Sequence, residues 1–572
     1  MHLKKTPNPK GRIRLSIVDS YYDKNKKCSR QKTIESLGWL DELEQQYEDP
    51  IAHFTKRVEI LKAQKNARQA PLQFLFYDSD RLSVSDTSLR KNFGYAALSR
   101  IYHQLGIHTF LINRQRHSNE KYDANAIMKL LVYSRLLYPS SIKAAFEGRE
   151  RFFEKSSYSL DDVYRCLGLF CKHRETLQVW LNDKIRKNYG RDTSLIYYDV
   201  TNYYFESDVQ DDFKRKGVSK EHRPNPIIQM GLFMDSNGLP ITYELFPGNT
   251  NDCLTYRPNF GRIKKLFELG RVITVADKGM TTGDNIWYTK NTPTRDGYVF
   301  SMSIRGANKE LKDYVLKEEG YTWLGTEYKR KSRKYPRTIH VTTAAGGKMD
   351  KIVDEKQVVF WSEKYEKRAK ADRAAALAKA ADLTKNPGSY TRATSYGAAK
   401  YVKKVDFDKE TGEIITSSSV LEIDEDVIRQ EKLFDGYYVL LTSEMEESDD
   451  KIIDIYRGLW RIEESFKVTK SELEARPVFV WTREHIEAHF LICFVALTIA
   501  RILELETERK YSIGKLLNSL SSAQCTLLQQ NYYLFDYYDE ILKEIGIATN
   551  IDFGKRIRTL GDIKKILAAT KK

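Results

Sequence analysis

The sequence predicts an α/β fold: a core sheet interrupted by a large β-rich insertion, preceded by α+β and helical regions. Three observations carry this. From Ser194 the chain alternates with period two through SLIYYDVTNYYFES, PIIQMGLFMDSNG and PITYELFPGN, rich in β-branched and aromatic residues, and Ser236, Asn237 and Gly238 mark a turn between the second and third strands. A basic helical stretch, YRPNFGRIKKLFELG, then leads into RVITVADKGM, an apolar strand ending in an acid. The amphipathic helix needed to complete this layer comes only at Tyr456–Lys470, after a segment too long and too patterned to be a loop.

Taken in order, residues 1–115 read as a small α+β module: a strand pattern (RIRLSIVDSYYD), then LGWLDEL, then a charged helix. Residues 116–190 turn helical, with DANAIMKLLVYSRLLY stopped at Pro139, which has no backbone N–H to continue a helix. Their cations Arg135, Lys143, Arg149 and Arg151 suit either a helix-turn-helix DNA reader or a helical packing domain. Residues 191–304 hold three strands, a helix and a fourth strand, which is the order of an RNase H-like core. Residues 305–435 form the β-rich insertion subdomain, with KQVVFWS and an alanine-rich charged helix. Residues 436–508 resume the core with the Glu463 helix and a long apolar helix, and 509–572 form a basic helical region.

The formal net charge of +16 over 572 residues points to a polyanionic partner, since cations that neutralise phosphates supply most non-specific nucleic-acid affinity. The six cysteines are scattered without a CxxC pair, which argues against a zinc ribbon and for a reducing compartment. The basic N-terminus lacks the apolar run of a secretory signal, and the run Phe490–Ile499 is too short to span a bilayer. No membrane association is expected, and the location implied is cytoplasmic, at the nucleoid.

Asp199 follows the apolar run LIYY and Asp277 follows VITVA, so both fall at or near the ends of core strands. In an RNase H-like sheet the first and fourth strands are parallel neighbours, which brings these acids together. At roughly 100° per residue, Ile452, Ile455, Leu459, Ile462 and Phe466 form one buried stripe, while Tyr456, Glu463 and Lys470 align along its edge. Glu464 points nearly the opposite way, and Trp460, near the edge of the stripe, reads as packing. Three acids converging from distant segments repel one another unless divalent cations hold them. Two Mg²⁺ or Mn²⁺ ions about 3.5–4 Å apart would suit in-line phosphoryl transfer.

These residues resemble the DDE transposases of bacterial insertion sequences, in the cut-and-paste group marked by a Tyr-Arg-Glu-Lys helix motif. Tyr456, Glu463 and Lys470 match that motif in register, while Leu459 stands at the arginine position and leaves Arg457 or Arg461 to contact phosphate. YYDVTNYYFES around the first acid, ADKGM around the second, GVSKEHRPNPIIQMGLF, YELFPGNTND and REHIEAHFLICF extend the likeness over roughly residues 190–505. The resemblance implies Asp199, Asp277 and Glu463 as catalytic metal ligands for two Mg²⁺ or Mn²⁺ ions. It also implies cleavage at terminal inverted repeats, joining to target DNA, and a homodimer or higher oligomer on double-stranded DNA. The family often frees the second strand through a hairpin, with an insertion aromatic stacked on a base taken out of the duplex. Trp323, Trp361 and Trp287 are candidates for that role, although core packing is the commoner fate of each.

Rival acids are Glu206, Asp208, Asp252 and Asp235, the last beside a turn and read as solvated. His222 and Arg223 suit phosphate contacts or a polar loop. His485 and His489, four apart without the adjacent glutamate of a zinc helix, read as packing. The run Lys329–Arg337 has six basic residues in nine, and Lys329, Arg330, Lys331 and Arg333 are taken as DNA-backbone contacts; the tail from Lys555 is similarly basic. A structure-selective nuclease without strand transfer and a non-catalytic DNA-binding protein are the competing readings.

Overall fold

The computed structural model describes the whole chain except residues 10, 24–27, 68–71, 73, 76, 80, 82–89, 117–119, 218–222, 391–394, 396, 404–420 and 572. Two compact units divide it, Met1–Arg81 and Leu82–Lys572. In the first, strands His2–Pro7, Ile13–Asp23 and Cys28–Trp39 form an antiparallel sheet, and the helix Pro50–Ala67 follows. Leu15, Leu43 and Phe54 make its small core. The boundary lies before residue 90, not near 115, because the helices Tyr95–Gln104 and Ile107–Gln115 contribute Tyr95, Ile101, Tyr102 and Phe110 to the main core of the second unit.

The second unit is built on a nine-stranded sheet. Its strands are β1 (Leu195–Tyr204), β2 (Ile227–Asp235), β3 (Pro240–Pro247), β4 (Ile273–Ala276), β5 (Gly297–Met302), β6 (Thr322–Trp323), β7 (Tyr328–Thr342), β8 (Lys348–Ser362) and β9 (Tyr437–Thr442). They lie in the order β6-β7-β8-β9-β5-β4-β1-β2-β3. β1, β4 and β5 are parallel, and every other pairing is antiparallel. β1–β3 form the expected meander, turned at Ser236–Gly238, where Gly238 takes a φ of +75° that suits glycine.

Part of the insertion belongs to this same sheet. The long hairpin β7–β8 pairs through β8 with β9, so the backbone edge that β9 would otherwise expose is covered. The rest of 305–435 makes a satellite: helices Glu363–Lys385 and Glu425–Lys432 enclose Ala380, Leu383, Tyr401 and Ile428.

One sheet face carries the helices Asp252–Leu266, Gly283–Lys290 and Lys309–Leu316 over Tyr198, Tyr298 and Phe300. The other carries Asp449–Arg457, Trp460–Ser471 and the long helix Arg483–Glu506. That last helix, at 24 residues, is long and apolar enough to cross a membrane, yet 94% of its most apolar window is buried within the fold. It serves as the central core helix: Ala124–Leu137, Leu160–Lys172 and Arg174–Tyr189 pack around it. Each leucine or phenylalanine so buried contributes about 1.5–3 kcal/mol. Arg135, considered above as a DNA-reading cation, is buried here and donates to the carbonyls of Leu473 and Glu474, each at 3.2 Å. A second, four-stranded sheet pairs Arg90–Asn92 with Gln524–Leu527, then Tyr532–Phe535 and Ile557–Thr559.

Candidate active site

Register sets the site. Tyr198 on β1 lies beside Ala276 on β4, which lies beside Phe300 on β5. One residue beyond the last paired rung, the next row holds Asp199 on β1, Ser301 on β5 and Asp277 directly after the end of β4. Because side chains alternate faces along a strand, this row shares the face of Tyr197 and Val275, the face covered by the Glu463 helix. Asp199 pairs with Leu232 on β2, and Ser301 pairs with Leu440 on β9, so two acids and a hydroxyl sit between two buried leucines.

The chain from Asp449 to Ser471 is two helices, not the single straight one that a uniform 100° turn assumes. Across Gly458 and Leu459 the backbone stays right-handed but tightens: Leu459 N–H donates to Tyr456, Arg461 N–H to Gly458 and Ile462 N–H to Leu459. The cause is packing against β1. A Cβ on Gly458 would lie 1.9 Å from the Tyr197 hydroxyl, so only glycine permits this approach. Tyr456 and Glu463, on either side of this tighter turn, still face one cavity.

Asp277 and Glu463 line one cavity of about 480 Å³, together with Ser301, Tyr456, Tyr438 and Arg305. Asp199 is not among its lining residues; it follows Tyr198, which pairs with Ala276, the residue before Asp277. The Asp277 carboxylate accepts from Ser301 Oγ at 2.8 Å and from the Tyr456 hydroxyl at 3.5 Å, both at Oδ1. Asp199 Oδ1 accepts from Val200 N–H at 2.7 Å. Burial first, and then the charge of Asp277 with a smaller contribution from Glu463, pushes the Tyr456 phenol well above its ordinary range. Tyr438 is raised by burial and by Tyr365, with Asp277 and Glu463 adding to the shift. Both phenols therefore stay protonated and able to donate.

As donors the three acids suit a hard divalent cation, because they offer carboxylate oxygens only and Asp277 Oδ2 accepts no hydrogen bond from the described residues. They do not form a closed cage. Among the described residues no group of three His, Cys, Asp or Glu side chains is placed to hold an ion.

Residues 191–499, just over half of the chain, match the transposase DDE domain, and residues 3–71 match the N-terminal domain of IS1634 family transposases. The chain belongs to the DDE transposase family. It is thus a bacterial insertion-sequence transposase, a metal-dependent enzyme of polynucleotidyl transfer. Among solved structures it is similar to a piggyBac transposase synaptic complex with hairpin DNA, at 9% identity over 84% of each chain and a TM-score of 0.31. The Mos1 transposase paired-end complex with the left transposon end follows at 11% identity, covering 43% of this chain and 66% of that one, with a TM-score of 0.13. No curated protein matches. The family match, not these distant likenesses, carries the assignment.

Other nominated residues of the transposase divide sharply. Lys470 lies 5.7 Å over the Tyr203 ring, on the same helix as Glu463. Arg457 pairs with Asp454 at 3.3 Å and remains exposed, whereas Arg461 donates to the Ser236 carbonyl at 2.9 Å and ties the helix to the β2–β3 turn. Leu459, at the motif arginine position, is buried. Glu464 is bound to Arg501 at 3.1 Å. Trp460 is 53% exposed, where packing was expected.

The basic run on β7 is largely internal. Lys329 and Lys331 are buried: Lys329 pairs with Glu318 at 2.6 Å, and Lys331 lies 4.1 Å over the Tyr321 ring, where burial pushes its ammonium down to about 8. Arg333 reaches Gln357 at 2.9 Å, and Arg330 pairs with Asp450 at 2.6 Å. Trp323 is half-exposed and edge-on to Trp361 at 6.0 Å, and Trp361 donates to the Asp435 carbonyl at 3.2 Å. Trp287 lies beneath Lys351 at 5.1 Å. Arg223 stacks 4.3 Å over Tyr204, and His222 lies outside the described residues.

Asp235 is fully buried against Arg191 at 3.7 Å, not solvated, and accepts from Leu239 N–H at 2.8 Å. Asp252 opens the helix Asp252–Leu266, while Glu206 and Asp208 are exposed. His489 is a core residue whose Nε2 lies 3.1 Å from the Ala475 carbonyl, and burial pushes its imidazole down to about 3. Sequence reasoning missed Ser301 and Tyr438. Aligning YVFSMSI with VITVADK by strand parity would have found the serine.

Proposed function

We propose that Asp199, Asp277 and Glu463 hold two Mg²⁺ or Mn²⁺ ions on an RNase H-like core, and that the enzyme cuts the terminal inverted repeats of its element and joins them to target DNA. The observation that carries this is Asp199 on β1 and Asp277 just past the end of the adjacent parallel β4, with Asp277 and Glu463 lining one cavity. The strand order β3-β2-β1-β4-β5, in which β2 alone runs opposite to the other four, supports the core assignment.

Bound there, divalent ions would activate an attacking oxygen and stabilise the leaving oxygen of a phosphodiester. The protein's own groups orient the substrate. The protonated phenol of Tyr456 can donate to a phosphate oxygen beside Asp277, Lys470 adds positive charge about two turns beyond Glu463, and exposed Arg457 extends that surface. The net charge of +16 favours double-stranded DNA as partner and a place at the nucleoid. Holding two ends in one complex calls for a homodimer or higher oligomer.

The test incubates the full chain with labelled inverted-repeat DNA, a target plasmid and Mg²⁺, beside Asp199→Ala, Asp277→Ala and Glu463→Ala. Cleaved and joined products that vanish in each variant, while end binding survives, support the reading. Cleavage without joining would make the enzyme a nuclease, and full activity in any one variant would remove that residue from the site.

A further inference from the structure

Ser301 sits where it can govern Asp277 from two sides. Its hydroxyl donates to Asp277 Oδ1 at 2.8 Å, and its backbone carbonyl accepts from Thr281 Oγ1 at 2.6 Å. Between those two bonds lies the short turn that follows Asp277: Met280 N–H donates to the Asp277 carbonyl at 3.0 Å, and Thr281 N–H to that of Lys278 at 3.2 Å. A single residue of β5 therefore fastens both the carboxylate and the far end of its turn. Ser301 is 4% exposed and paired with Leu440 on β9, so it cannot move away without breaking that pairing.

The hydrogen bonds to the carboxylate are unevenly distributed. Ser301 and Tyr456 both end on Oδ1, and Oδ2 accepts none from the described residues. A carboxylate anchored through one oxygen keeps its plane fixed and presents the other, the arrangement that outer hydrogen bonds give a metal-ligating carboxylate.

We propose that Ser301 is a positioning residue for the reaction: its hydroxyl fixes Asp277 through Oδ1 so that Oδ2 is presented to a divalent cation, with Tyr456 as the weaker second donor. This rests on the reading of Asp277 as a metal ligand. Losing such an outer donor lowers metal affinity about 10-fold to 100-fold.

The test titrates the full-length protein with Mn²⁺ alone and follows free Mn²⁺ by electron paramagnetic resonance, with the thermal midpoint in metal-free buffer as a folding control. Ser301→Ala is expected to weaken Mn²⁺ binding about 10-fold with an unchanged midpoint, Ser301→Thr to restore it, and Tyr456→Phe to weaken it less. Should Ser301→Ala fail to fold, Ser301→Cys carries the test, since it keeps the size and weakens the donor. Wild-type Mn²⁺ affinity in Ser301→Ala or Ser301→Cys, or equal loss in Ser301→Thr, overturns the proposal while Asp277→Asn still abolishes binding. If Asp277→Asn binds Mn²⁺ normally, the ligand reading fails and this proposal falls with it.

Discussion

Replacing Gly458 by alanine sets two effects of opposite sign against each other. Its backbone is helical, with φ −59° and ψ −15°, so alanine should gain about 0.5–1 kcal/mol from helix propensity alone. The new methyl, however, would lie 1.9 Å from the Tyr197 hydroxyl, 2.6 Å from Cζ and 3.0 Å from Cε1 of a ring that is 2% exposed. Overpacking of this kind costs about 1–3 kcal/mol, and the hydroxyl with two close ring carbons places it at the upper end, so a net loss of about 2 kcal/mol is expected. The strain should be relieved by lifting the Trp460–Ser471 helix off β1, which moves Glu463 relative to Asp277. A displacement of about 1 Å at a reacting centre costs on the order of 100-fold in rate. Thermal unfolding and the rate of end cleavage would be measured for Gly458→Ala, Tyr197→Phe and the double variant. The double variant should recover part of both losses, since it removes the nearest atom and leaves the ring carbon. A Gly458→Ala protein as stable and as active as the wild type would refute the close-packing argument.

Two further outcomes follow from buried ionisable groups. His489 is neutral in the fold, with its imidazole pushed from 6.5 down to about 3, so the unfolded chain binds the extra proton between those values. Its contribution to stability is complete above about pH 6.5 and falls by about 1.4 kcal/mol per pH unit as acid is added, down to about pH 3. His489→Gln should flatten that slope in a series of denaturation curves, and an unchanged slope would contradict it. Lys331→Met should leave both DNA affinity and its salt dependence unchanged, because the ammonium is buried beside Tyr321. A fall of about 0.9 in the slope of log K against log salt would instead show a phosphate contact.

The core was legible because its strands are strongly patterned: LIYY, IIQMGLFM and VITVA bury residues densely enough to announce themselves, and the sheet places them in the expected neighbourhood. Asp199 and Asp277 stood out as acids inside or just after such runs. What could not be read were consequences of tertiary contact. The break at Gly458 depends on Tyr197, more than two hundred residues earlier in the chain. The basic run at Lys329 resembles a surface because charge runs usually are one, yet strand alternation turns Lys329 and Lys331 inward, onto Tyr321 and Glu318. Asp235 sits next to a turn, but Arg191 arrives from another segment and makes burial tolerable.

The small sheet that joins Arg90–Asn92 to Gln524–Leu527 has a bearing on how the enzyme is made. The Asn92 side chain donates to the Leu520 carbonyl, a partner 428 residues later, and the central helix Arg483–Glu506 is needed by helices that begin at Ala124. During synthesis, the early helical segments therefore leave the ribosome without the surface they must cover. Loop closure over such distances is slow, and exposed apolar faces in the interval invite aggregation or chaperone capture. Asp199, Asp277 and Glu463 cannot be brought together until the chain has emerged past residue 463, so a half-made protein lacks the proposed cutting site.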